Sequence, residues 1–176
     1  MPSTFSGFLN LTAQANELID EGIASGSIPA KIIEELSFSQ GTSAGQINKA
    51  YYKRESGIGA SVTTVYDLIG TLTDKSGATI NFDQVVLIII KNLSTDTADH
   101  LEVGPDASHG FGVLASNQGF WKDSSDRSIV PANSFAVWYS YAGVPAAAGS
   151  SDELAVITPS GSAANTWDIL ILGRDT

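Results

Sequence analysis

The chain has 176 residues, 43% of them hydrophobic, enough for one ordinary globular domain with a real core and too apolar for a disordered segment. Nineteen Asp and Glu against nine Lys and Arg leave a formal charge of −10, which opposes a phosphate backbone as partner and favours a neutral or basic protein surface. There is no cysteine, so disulfides and thiolate metal sites are excluded.

The opening stretch, MPSTFSGFLNLTAQANELIDEG, has neither a basic n-region nor a long apolar core, and is not expected to be a secretory signal. Residues 11–26 read as a short helix capped by Thr12. Leu11, Ala15, Leu18, Ile19 and Ile23 share one of its faces, and Glu17, Asp20 and Glu21 lie elsewhere on the wheel. SGSIPAK, 25–31, is a linker by composition, with Pro29 as its stop. The expected organisation is an N-terminal arm over 1–35 and a β-domain over 36–176.

From residue 36 the text is β. Candidate strands are 36–40, 47–54, 62–69, 84–91, 99–103, 110–115, 127–130, 134–141, 153–158 and 165–172. The clusters between them, such as DKSGA and TPSGSAAN, are turn-forming. Short strands at such spacing, with no helix between them, predict an all-β sandwich or barrel and not a parallel sheet, and an antiparallel two-sheet sandwich is the expected fold. In SFAVWYSY, Phe135, Val137, Tyr139 and Tyr141 alternate onto one face, and Leu101 with Val103 does the same in HLEVG.

Two strands break the alternation. Val85 to Ile90 is an unbroken apolar run, and in TWDILILG both Ile169 with Ile171 and Leu170 with Leu172 are apolar. Each is expected to be an interior strand, with Val86, Ile88, Ile90, Ile169 and Ile171 buried. The opposite faces, Val85, Leu87 and Ile89 on one strand and Leu170 and Leu172 on the other, need a cover. The cover is either the arm, through Leu11, Leu18, Ile19 and Ile23, or a neighbouring subunit. These nine residues are the interface candidates.

No residue pattern points to catalysis or to a bound cofactor. His100 and His109 match no metal motif, and Asp96, Asp99, Glu102 and Asp106 lack EF-hand spacing and read as solvated loop charges. SGIGAS, 56–61, is no dinucleotide fingerprint, and no G-x-S-x-G elbow occurs. Tyr51 and Tyr52 beside Lys49, Lys53 and Arg54 suit nucleic acid by residue type, yet an edge strand guarded by cations fits the acidic chain better. Trp121, Trp138 and Trp167 are core or interface anchors. Trp121, with Phe120 in the loop NQGFWKDSSD, is also the candidate ligand-contact platform for a sugar.

The stretches from LSFSQGTSAGQINKAYYKRES through VVLIIIKNLST to IVPANSFAVWYSY and the closing GSAANTWDILILG resemble small proteins from structural-gene regions of tailed bacteriophages. The resemblance spans roughly residues 36–173 and rests on turn and core patterns. It implies a jelly-roll-like sandwich serving as a minor capsid, cement, decoration or fibre-associated protein of the virion, assembled in the host cytoplasm. It also implies contacts with other virion proteins and a trimer as the preferred homo-oligomer, and it carries over no catalytic residue; from the residues themselves, neither nucleic acid nor a membrane is expected as partner, and no enzyme is expected. The alternative is a lectin-like, glycan-binding module of a phage fibre.

Overall fold

A computed structural model describes residues 6–20, 25–74, 76–113, 119–161 and 164–176, with 6–8, 11–20 and 25–34 described by their backbone alone. All regular structure among the described residues is β-strand, and the strands pair antiparallel. The chain divides into two compact units, residues 1–39 and 40–176.

In the first unit β1 (Ser6–Asp20) and β2 (Ser25–Gln40) form a hairpin whose register runs from Ser6↔Ser39 to Asp20↔Ser25. The helix expected over 11–26 is therefore corrected: residues 11–20 and 25–26 are strand, and 21–24 lie outside the described residues. The physical reason is an ambiguous period. Leu11, Ala15 and Ile19 recur every fourth residue, but Leu9, Leu11, Ala13, Ala15 and Ile19 also fall on every second position, so the pattern suits a strand once a partner exists. The linker over 25–31 is strand as well. Pro29 sits opposite Asn16, which is tolerable because half the N–H groups of a hairpin point away from the partner.

The second unit runs β3 (Gln46–Ile47), β4 (Lys49–Ile58), β5 (Thr63–Asp67), β6 (Ile69–Thr73), β7 (Thr79–Asn81), β8 (Gln84–Asn92), β9 (Leu101–Pro105), β10 (Ser128–Val130), β11 (Phe135–Pro145), β12 (Glu153–Ile157) and β13 (Asn165–Arg174). Two four-stranded sheets result, ordered β11-β8-β13-β4 and β10-β9-β12-β5, beside the hairpin β6-β7. The pairing is nested. β4 pairs with β13, β5 with β12, β8 with β11 and β9 with β10, so a long hairpin is rolled up on itself.

The strand expected over 62–69 splits at Leu68. The Asp67 carboxylate accepts the Ile69 N–H at 3.0 Å, while the Leu68 N–H turns to the Asp152 carbonyl. The 110–115 strand reduces to isolated bridges at Gly110 and Val113, with 114 and 115 outside the described residues. The short strand β7 follows a turn in which Asp74 Oδ1 accepts the N–H groups of Ser76 and Ala78, and Gly77 takes φ +85°.

Both four-stranded sheets feed one core cluster. Ile88, Ile90, Trp167, Ile169 and Ile171 come from the first, and Leu101, Val103, Val130, Leu154 and Val156 from the second. The five residues expected to be buried, Val86, Ile88, Ile90, Ile169 and Ile171, are all fully buried. β8 and β13 are the interior strands of their sheet, as their unbroken apolar text requires. Burying each such side chain contributes about 1.5–3 kcal/mol.

Candidate interaction surface

The registers of β11, β8, β13 and β4 set three rows of side chains across the outer face of the sheet. One row is Phe135, Lys91, Asp168 and Arg54. The next is Val137, Ile89, Leu170 and Tyr52, and the third is Tyr139, Leu87, Leu172 and Ala50. Strands lie about 4.8 Å apart, so a row spans roughly 14 Å. Two adjacent rows thus carry no charge. Phe135 is 60% exposed, Tyr52 52% and Tyr139 37%, while Val137, Ile89, Leu170 and Leu172 are half-buried. The alternating rows, Ala136, Ile90 and Ile169, and Trp138, Ile88 and Ile171, turn toward the core.

The charged row closes one end of this strip. Arg54 grips Asp168 in a bidentate pair, Nε to Oδ1 and Nη2 to Oδ2, both at 2.7 Å, and the Tyr52 hydroxyl donates to Oδ1 at 3.0 Å. The Arg54 hydrogen bonds, aided by Tyr52, hold the Asp168 carboxyl below the ordinary carboxylate range, against the opposing effect of desolvation.

The other end is closed by the chain itself. Gly45 N–H donates to the Tyr141 carbonyl of β11 at 2.9 Å, and Asn48 N–H donates to the Gly173 carbonyl of β13 at 3.0 Å. The intervening segment crosses the end of β8, where Val85, Val86 and Leu87 are buried. Arg174 pins the crossing. Its guanidinium donates to the Ser43 carbonyl at 3.1 Å and also to the Gln84 side chain and the Ala142 carbonyl.

This geometry sorts the interface candidates. Ile89, Leu170 and Leu172 lie on the outer face as expected. Val85 does not: a bulge between Leu87 and Val85 shifts the phase of β8 by one residue and puts Val85 in the core cluster with Ile88 and Ile90. Leu87 keeps its outer position but is buried, 1% exposed. The side chains of Leu11, Leu18 and Ile19, and all of Ile23, lie outside what is described. Phe135, Val137, Tyr139 and Tyr52 complete the surface without having been singled out as interface residues. The two-residue alternation in SFAVWYSY was visible, but not which face it marks.

Trp121, the candidate ligand-contact residue, lies in the core cluster, and Phe120 packs against that cluster partly buried. Trp121 is 4% exposed and packs between Phe120 and Trp138, with centroids 5.8 and 5.7 Å away, and Phe120 in turn meets Phe111. A cleft of about 400 Å³ opens between β4, β5 and β6, lined by Tyr51, Lys53, Glu55, Thr71 and Asp74 among others. Its polar groups answer one another: Lys53 Nζ lies 2.7 Å from Glu55 Oε1, which also faces the Tyr66 hydroxyl at 3.5 Å, and that hydroxyl accepts the Trp167 indole N–H at 3.0 Å. Burial pushes the Tyr66 phenol well above its ordinary value, so it stays protonated.

His100 and His109 sit near Glu102 and Glu153, at 3.7 and 3.5 Å, with partly exposed side chains. Asp96 and Asp106 cap local turns through the N–H groups of Ala98 and Ser108. Asp99, expected to be solvated, is buried. Among the described residues, no group of three or more His, Asp or Glu side chains is placed to hold a metal ion. No protein-family model, no curated protein and no solved structure matches this chain.

Proposed function

We propose that the chain is a structural subunit of a bacteriophage virion, of the cement, decoration, minor capsid or fibre-associated kind, acting through contacts with its own copies and with other virion proteins. The observation that carries the reading is the outer face of the β11-β8-β13-β4 sheet: two uncharged rows with aromatic side chains standing in solvent, on a chain whose formal charge is −10. Contiguous apolar surface of this kind marks contact with another macromolecule.

The finer fold belongs to the same proposal. Eight strands nested first with last, in sheets ordered β11-β8-β13-β4 and β10-β9-β12-β5, support a jelly-roll sandwich, a form met in viral capsid and lectin domains. A fold alone does not assign a function. The shell role therefore rests on the surface and on the resemblance of the sequence. The lectin-like alternative draws less support, because Trp121 is 4% exposed.

The test is mass spectrometry and cryo-electron microscopy of particles purified from the phage that carries the gene. The chain is expected at fixed stoichiometry, with the outer sheet face against a neighbour. Purified particles that lack it overturn the proposal.

A further inference from the structure

The cleft between β4, β5 and β6 is lined by the terminal strands of both four-stranded sheets, β4 and β5. Tyr51, Lys53 and Glu55 alternate onto one face of β4, opposite Ile171, Ile169 and Trp167, and Thr64 and Tyr66 share one face of β5. Tyr51 and Tyr66 meet edge to face, with centroids 6.1 Å apart, and both are buried, as is Leu72 of β6. The deep part of the cleft is therefore apolar. Its mouth is polar, since the Lys53 side chain is half exposed.

The network that ties Lys53, Glu55, Tyr66 and Trp167 together leaves groups uncommitted. Lys53 and Tyr66 both meet Oε1 of Glu55, and Oε2 is left over. An ammonium carries three N–H groups, and the Glu55 contact uses one. The Tyr51 hydroxyl makes no hydrogen bond to a described residue, although Tyr51 is only 7% exposed. Burial raises its phenol above the ordinary value, so it stays a neutral donor and acceptor. A polar group so placed is completed by water or by a ligand.

We propose that this cleft binds an uncharged polyhydroxylated molecule, a sugar of about one or two rings. Charge narrows the class. An anion meets Glu55, Asp74 and a chain at −10, and a cation meets the Lys53 ammonium. A sugar hydroxyl donates and accepts at once. One hydroxyl donating to Glu55 Oε2 and its neighbour accepting from Lys53 use both halves of the ion pair, and the Tyr51 hydroxyl takes a third. The C–H faces of the ring suit the buried tyrosines and Leu72. The volume of about 400 Å³ falls within the range of small-molecule sites.

The test is titration of the full chain with D-glucose, D-galactose, D-mannose and N-acetyl-D-glucosamine, followed by amide chemical shifts. At least one is expected to saturate with a dissociation constant on the order of 1 mM, as befits so few heavy atoms. The shifts should centre on Tyr51, Lys53, Glu55 and Tyr66. Tyr51→Phe removes no hydrogen bond to a described residue, so near-ultraviolet circular dichroism should stay native while affinity falls roughly three- to tenfold. If that variant fails to fold, the wild-type shifts decide alone. Phe135→Ser, on the outer sheet face, should leave binding unchanged. Four sugars that never saturate overturn the site. So do shifts confined to the outer face, or binding that Phe135→Ser weakens and Tyr51→Phe does not. Tighter binding of glucose 6-phosphate or glucosamine than of the neutral sugars overturns the uncharged class. No outcome bears on the subunit contacts proposed above, which use the opposite face of β4.

Discussion

Arg174 is a cation sealed inside an acidic protein, 3% exposed, with no carboxylate in ion-pair range among the described residues. Desolvation lowers its guanidinium from the ordinary value, yet arginine stays charged, so its stabilisation comes from the carbonyls of Ser43 and Ala142 and the Gln84 amide oxygen. Arg174→Ala is expected to lower stability by on the order of 3 kcal/mol, since it strands several buried acceptors. Urea unfolding monitored by circular dichroism checks this. Gly112 is a second such position. It takes φ +79°, and a Cβ there would stand 2.8 Å from the Trp121 ring. Gly112→Ala should cost on the order of 2 kcal/mol and shift tryptophan emission as Trp121 is displaced. Neither role was legible in the sequence, because Arg174 near a chain end and Gly112 in a loop read as surface until their neighbours are known.

At the scale of one element, β13 shows what alternation can specify. Its odd residues Trp167, Ile169 and Ile171 are fully buried, and its even residues Asp168, Leu170 and Leu172 are half-buried. Ile171→Ala should therefore cost roughly 2–5 kcal/mol in urea unfolding. Leu170→Lys should cost about 1 kcal/mol and act mainly on association. Asp168 adds a pH dependence. Its folded value lies below its unfolded one, so its contribution is complete above the ordinary carboxylate value near pH 4 and is lost as the pH falls through the lower folded value. Asp83, lowered by the Thr176 hydroxyl and N–H, acts in the same direction. The urea midpoint should be flat toward neutral pH and fall below about pH 4, less steeply in Asp168→Asn. The sequence showed both apolar faces of β13. It did not show the bulge in β8 that moves Val85 inward, since a bulge depends on how two strands share residues across a ladder.

For the whole molecule, nesting means that paired strands are far apart in the chain. Arg54 meets Asp168 across 114 residues. Long loops must close before these contacts form, so refolding is expected on the millisecond-to-second scale of non-local β proteins. Stopped-flow tryptophan fluorescence checks this, and a microsecond phase that completes folding would contradict it.

Composition, turn clusters and hydrophobic period belong to local text. They were enough to identify the all-β class, the interior position of β8 and β13, buried residues of both strands, and the cation-bearing edge at β4. The N-terminal segment defeated the same reading, because Leu11, Ala15 and Ile19 satisfy a period of four and a period of two at once. Only pairing with β2 chose the strand. Tertiary structure likewise decided that Trp121 is core, that Leu87 is covered by its own chain, and that β11 ends its sheet among the described residues. Each of these depends on which distant segment lies alongside, and that follows from the rolled closure of the sheets, which the order of residues does not display.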